Sequence, residues 1–246
     1  SRGGTTRALS VGRYGSGTLN ITDGGEGTNT SDSYDGFIGR FPGSTGAATV
    51  TGVGSQWSNS DDLWIGGNAS EAGGTGTLNL YDSGLVTVTN LTKLWDTGTL
   101  NLDGGSLITG SFDNSEAGTF NFHDGTLTVN GTGGVFDPGV DDFSVNGNAA
   151  DDAPHLVIAN TATTTLAGDL TVGQTHPGFL SVESGGVVAN TYGYIGRNAG
   201  STGEATVTGA GSQWNNSENL YVGLTGSGTL NVTDGGVVAN TRGYIG

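Results

Sequence analysis

Few residues of this chain are of the kinds that do chemistry, and their spacing limits what they could do. Cysteine is absent, so neither disulfides nor thiolate metal sites arise. The three histidines, His123, His155 and His176, fall in different phrases of the sequence, and adjacent acids stand at Asp61-Asp62, Asp141-Asp142 and Asp151-Asp152. Neighbours in a strand point to opposite faces, so the members of such a pair do not converge on one substrate atom. Acids and a histidine gather only at Asp141, Asp142, Asp151, Asp152 and His155, around an irregular acidic stretch. A catalytic centre there competes with the plainer expectation of a solvated loop. The nucleophile-elbow, zincin and EF-hand patterns are missing, as is the glycine-aspartate repeat of calcium-binding coils. The expectation is a chain that is not an enzyme.

Two recurrent sets of side chains remain. An aromatic residue precedes an [IV]-Gly pair at Phe37, Trp64, Tyr194, Tyr221 and Tyr244. Alternation puts the neighbouring Ile or Val inward and these rings outside, in a column that either binds sugar faces or another rod, or simply stacks. An asparagine recurs before Ser or Thr at Asn29, Asn59, Asn190, Asn216 and Asn240. In register such amides hydrogen-bond along a stack of strands, a structural role. Trp57 and Trp214, each after Ser-Gln, are expected at packed corners with the indole N–H on backbone.

The elements that place these residues are repeats. GVVANTYGYIG at Gly186–Gly196 returns as GVVANTRGYIG at Gly236–Gly246, 50 residues later with one change. Within that unit the [IV]-Gly pairs at Val172, Ile195, Val222 and Ile245 are 23, 27 and 23 residues apart. GSGTLNITDGG at Gly15–Gly25 sets Leu19 and Ile21 against Thr18, Asn20 and Thr22, the period of a half-buried strand, and closes on an Asp-Gly-Gly turn. STGAATVTGVGSQWSNS at Ser44–Ser60 returns as STGEATVTGAGSQWNNS at Ser201–Ser217. A 50-residue unit nearly fits a propeller blade, but the shared order of its two halves favours coils lying in register. The expected fold is all-β: one continuous parallel β-solenoid over residues 1–246, of about nine or ten coils. Parallel crossovers make it right-handed. Leu91–Val129 holds shorter coils, and 146–154, NGNAADDAP, reads as a loop protruding from the stack. His155–Ala159 and Leu166–Val172 read as strands. Leu180, Val182, Ile195, Val207, Val222, Leu230, Val232 and Ile245 are expected to line one narrow core.

Composition agrees with a glycine-rich β chain: 49 glycines, 4 prolines and 33% hydrophobic residues. The net charge of −16 excludes a general affinity for nucleic acid. No cofactor is implied beyond a weakly held divalent cation, such as calcium, on the acidic surface. No apolar run is long enough for direct insertion in a membrane. The chain carries no initiator methionine and breaks off in mid-phrase at Gly246, which reads as a mature, trimmed or partial chain. An uncapped coil exposes unpaired strand edges, so either more repeats or a second copy is expected against it.

The phrases GTLNVTDGGVVANT, GYIG and STGEATVTGAGSQWNNSENLYVG resemble the repeat shared by bacterial autotransporter (type V secretion) passengers and PEP-CTERM surface proteins, over nearly the whole chain. The resemblance implies an exported β-solenoid, located outside the cell or on a bacterial surface. The expected function is that of a non-catalytic structural repeat protein: a surface fibre, adhesin stalk or matrix scaffold that self-associates end to end and contacts surface glycans. The competing expectation is a carbohydrate-binding or polysaccharide-degrading solenoid.

Overall fold

A computed structural model describes residues 2–5, 8–29 and 35–246, with backbone alone for 2–5. It is all-β, with twenty-eight strands and no helix among the described residues, coiled into a parallel β-solenoid of about nine turns. The absence of helix follows from composition: glycine-rich phrases alternating Val, Ile, Leu and Thr suit the pleat and disfavour a helical stripe. The chain divides into two compact units, residues 1–121 and 122–246.

In the first unit a coil has three sides. Its long strands are Ser16–Ile21, Thr45–Thr51, Thr75–Tyr81 and Gly98–Asp103. They stack in parallel with like on like: Leu78 on Leu100, Asn79 on Asn101, Leu80 on Leu102. Middle strands Glu26–Asn29 and Gln56–Asn59 pair likewise, as do the short strands Gly36–Ile38 and Leu63–Ile65. Leu78, Leu80, Leu100 and Leu102 are fully buried, each contributing about 1.5 to 3 kcal/mol of apolar burial. The shorter coils expected after Leu91 take a definite form here. Leu85–Leu94 runs unbroken past both the middle and the short strand of the preceding coil, with a register shift between Val88 and Leu91 where it pairs with Ser106–Asp113.

One corner explains two separate sequence signals. The [IV]-Gly exit has its glycine at positive φ, +70° at Gly39, and that residue packs against the glycine that opens the long strand of the next phrase. A Cβ on Gly46 would lie 2.1 Å from the Val11 carbonyl oxygen and 2.5 Å from the Gly39 nitrogen. No side chain fits between those backbones.

The second unit repeats the plan. Long strands Gly178–Glu183, Thr202–Thr208 and Ser227–Thr233 stack in register. Middle strands Val187–Asn190, Gln213–Asn216 and Val237–Ala239 do the same. The short strands are Phe143–Val145, Leu170–Val172, Gly193–Ile195, Asn219–Val222 and Arg242–Ile245. Of the expected core, Leu180, Val182, Ile195, Val207 and Val222 are buried. Leu230 is half-buried, while Val232 is 45% and Ile245 87% exposed. Those strands are last in their sheets, so the inward face of their coil is open on one side. The stretch 146–154 contains no strand and folds on itself: the Asp152 carboxylate accepts the N–H groups of Asn148 and Ala149, both at 2.7 Å. The strands His155–Ile158 and Leu170–Val172 bury Leu156, Ile158, Leu170 and Val172. No helix among the described residues is long and apolar enough to cross a membrane.

Candidate functional site

The five recurrent aromatic residues form two columns, one in each unit. In the second, Tyr194, Tyr221 and Tyr244 occupy successive rungs with ring centroids 5.2 and 4.9 Å apart and planes within 6° and 7° of parallel. Neighbouring rings therefore cover each other's faces and leave edges and phenol oxygens outward. The Arg197 guanidinium lies 4.2 Å from the Tyr194 centroid and 3.5 Å from the Thr171 hydroxyl one rung earlier, and the Tyr192 ring stacks on Tyr194 at 6.4 Å. Burial pushes the Tyr194 phenol up, Asp169 adds to this, and Arg197 opposes it. A sugar stacks on ring faces, and between successive rings of this column the faces are already occupied.

In the first unit Phe37 and Trp64 are paired rungs but are not exposed, at 4% and 7%. This corrects the expectation of exposed rings. The Arg40 guanidinium sits 3.8 Å from the Phe37 centroid, and the rung beyond Trp64 is Lys93, itself buried and paired to Asp113 at 2.9 Å. Burial alone would raise the Asp113 carboxyl. The Ser115 N–H, the Lys93 ammonium and the Ser115 hydroxyl outweigh it and hold the carboxyl below its ordinary value. The signal for both arginine covers is legible afterwards as aromatic-Ile-Gly-Arg, at Phe37–Arg40 and Tyr194–Arg197.

The asparagines make short ladders. Asn29 donates its amide to Asn59 at 2.9 Å, and Asn190 to Asn216 at 2.8 Å, in both cases buried. Asn240 does not extend the second pair, because the Asn216 amide turns to the Ala239 carbonyl at 3.4 Å. The Trp214 indole N–H goes to the Asn190 side chain at 2.7 Å rather than to backbone, and the Trp57 indole N–H has no partner among the described residues. A longer ladder runs through the Asn of the GTLNL phrase, which the sequence reading passed over. Asn121 donates to Asn101 at 2.8 Å, Asn101 to Asn79 at 2.7 Å, and Asn79 to the Thr49 hydroxyl at 3.2 Å.

The acids and histidine of the candidate catalytic stretch are not gathered. Asp142 accepts the Asp169 N–H at 2.7 Å, Asp152 closes its own turn, and His155 lies 2.8 Å from the Ser181 hydroxyl with its edge toward Phe179. Asp141 and Asp151 are exposed. Burial lowers the His155 pKa, against Glu183 and Glu204. Among the described residues the one grouping of three ligand-bearing side chains is Asp35, Asp61 and Asp62, whose oxygens lie within 4.8 Å of one another. Asp61 and Asp62 converge because they lie in a turn, where alternation does not apply. Asp62 accepts the Leu91 N–H at 3.0 Å and Asp61 the Asn90 amide at 2.6 Å. Burial raises the Asp62 carboxyl; the Leu91 N–H opposes this, and Asp35 and Asp61 add to it. An all-oxygen set of this kind suits a hard cation such as calcium.

No family model, curated protein or solved structure matches the chain. The functional reading therefore stands on the geometry of its own residues.

Proposed function

We propose that this chain is a non-catalytic structural repeat scaffold, acting outside the cell or on a bacterial surface as part of a fibre, stalk or matrix of the autotransporter or PEP-CTERM type. Its partners in that role are coils of the same kind, from further repeats or from other copies. The observation that supports this reading most is the direction of its recurrent polar and aromatic side chains. Tyrosines, asparagines and the arginine covers bond or stack from coil to coil, which stiffens the ladder.

The purified chain, incubated with neutral and acidic polysaccharides, is expected to release no reducing ends. Turnover of any of them would replace this reading with the polysaccharide-degrading one. Labelling of intact cells that produce the full protein tests the location: an epitope reached only after permeabilisation would contradict surface display. The competing carbohydrate-binding reading has its favourable observation away from the tyrosine column, at exposed residues of the first unit.

A further inference from the structure

Beside the Phe37 and Trp64 column lies a second, smaller one made by a repeated tripeptide, Gly12-Arg13-Tyr14 and Gly39-Arg40-Phe41, 27 residues apart. The Arg40 N–H bonds to the Gly12 carbonyl at 3.0 Å, so the two tripeptides sit on successive rungs. Tyr14 and Phe41 stack at 4.9 Å with planes 8° apart. The guanidinium of Arg13 lies 5.1 Å from the Tyr14 centroid, and that of Arg40 lies 5.0 Å from Phe41 and 3.8 Å from Phe37. Tyr14 is 72% exposed, so most of its ring is open to solvent.

Two features mark this cluster out. It places two guanidinium groups on one pair of stacked rings in a chain of net charge −16, yet neither has a carboxylate within ion-pair distance among the described residues, and the Arg40 Nε is buried without a partner. Burial lowers the Arg40 pKa and Arg13 lowers it further, while Tyr14 and Asp35 act in the opposite sense. Like charges held together against rings repel one another, and a bound anion would offset that repulsion. The adjoining aromatic ring keeps an open apolar surface, which is what the C–H face of a sugar needs.

We propose that Arg13, Tyr14 and Arg40, with Phe41 as the backing ring, form a binding site for an acidic sugar residue of the uronate class. Its carboxylate lies between the two guanidinium groups and its ring rests on Tyr14. The rest of the surface favours this ligand over nucleic acid. A chain with one phosphate per nucleotide would be repelled along its length by an acidic protein, whereas a uronate presents one charge at the site and neutral hydroxyls around it. The site goes beyond the scaffold reading and does not depend on it, since a scaffold without such a site is still a scaffold.

The test is calorimetric titration of the whole chain with a galactose oligomer bearing a single terminal galacturonate, in moderate salt, alongside Arg13→Gln, Tyr14→Ala and Arg40→Gln. Saturable binding is expected, weakened at least tenfold by Arg13→Gln and at least fivefold by Tyr14→Ala. The thermal midpoint of Arg13→Gln should be unchanged, because that side chain is exposed, and that of Tyr14→Ala should fall only by what the loss of its one stack on Phe41 costs. Arg40→Gln is expected to weaken binding similarly, and its midpoint reports any loss of packing on Phe37. The proposal is overturned by absence of binding at millimolar ligand, by equal affinity for a neutral galactose oligomer, by equal affinity for single-stranded DNA, or by unaltered binding in Arg13→Gln. Inorganic sulfate that displaces the oligosaccharide with equal potency would also overturn it, reducing the site to a simple anion contact.

Discussion

Trp57 and Trp214 occupy the same phrase and are both fully buried, yet their indole N–H groups differ: that of Trp214 reaches the Asn190 side-chain Oδ1, and that of Trp57 has no acceptor among the described residues. Replacement by phenylalanine removes the same volume from each site, but only at Trp214 does it break a bond and leave the Asn190 oxygen without its donor. Urea unfolding should therefore find Trp214→Phe more costly than Trp57→Phe by about 1 to 2 kcal/mol. Equal losses would mean that the bond contributes nothing. Asp113 offers a second test at this scale. Its carboxyl is held below the ordinary value in the folded chain, so its contribution is present above the unfolded pKa of about 4 and is lost as pH falls through the folded value. Asp113→Asn should lower stability at neutral pH and flatten the acid limb of the stability profile below about pH 4. An unaltered acid limb would remove Asp113 from the account.

At the scale of elements, stacking in register decides what each coil tolerates. Gly46 opens a long strand where a Cβ would meet the Val11 carbonyl oxygen and the Gly39 nitrogen, whereas Gly15, a coil earlier, has nothing within 4 Å of its Cβ position. Gly46→Ala is expected to cost about 2 to 3 kcal/mol and Gly15→Ala under about 1 kcal/mol by thermal unfolding. A reversed order would contradict the corner. Ile195 is fully buried in a short strand, and Ile195→Asp should cost at least about 3 kcal/mol through an unpaired buried charge. The strands themselves were legible because Leu19, Ile21 and their counterparts alternate with Thr and Asn. What alternation could not reveal was burial on the outer side, as at Phe37 and Trp64, because that depends on Arg40 and Lys93 arriving from other parts of the coil. It likewise misplaced Asp61 and Asp62, where a turn replaces the strand on which the rule relies.

At the scale of the molecule, repetition that was plain in the sequence became a solenoid whose coils carry matched side chains at matched heights. The near-identity of Gly186–Gly196 and Gly236–Gly246 placed Tyr194 and Tyr244 in one column, with Tyr221 between them. Sequence could not say whether those rings offer their faces or hide them. The inter-ring distances answer this, since faces about 5 Å apart leave no room for a sugar. The scaffold reading rests on that difference, and Tyr221, the middle ring, tests it most directly. Tyr221→Ala should lower stability by about 1 to 3 kcal/mol, through two lost stacking contacts, while leaving the binding of neutral oligosaccharides at the wild-type level. Wild-type stability together with lost neutral-sugar binding would mean that the column is a recognition surface and that the structural account of it is wrong.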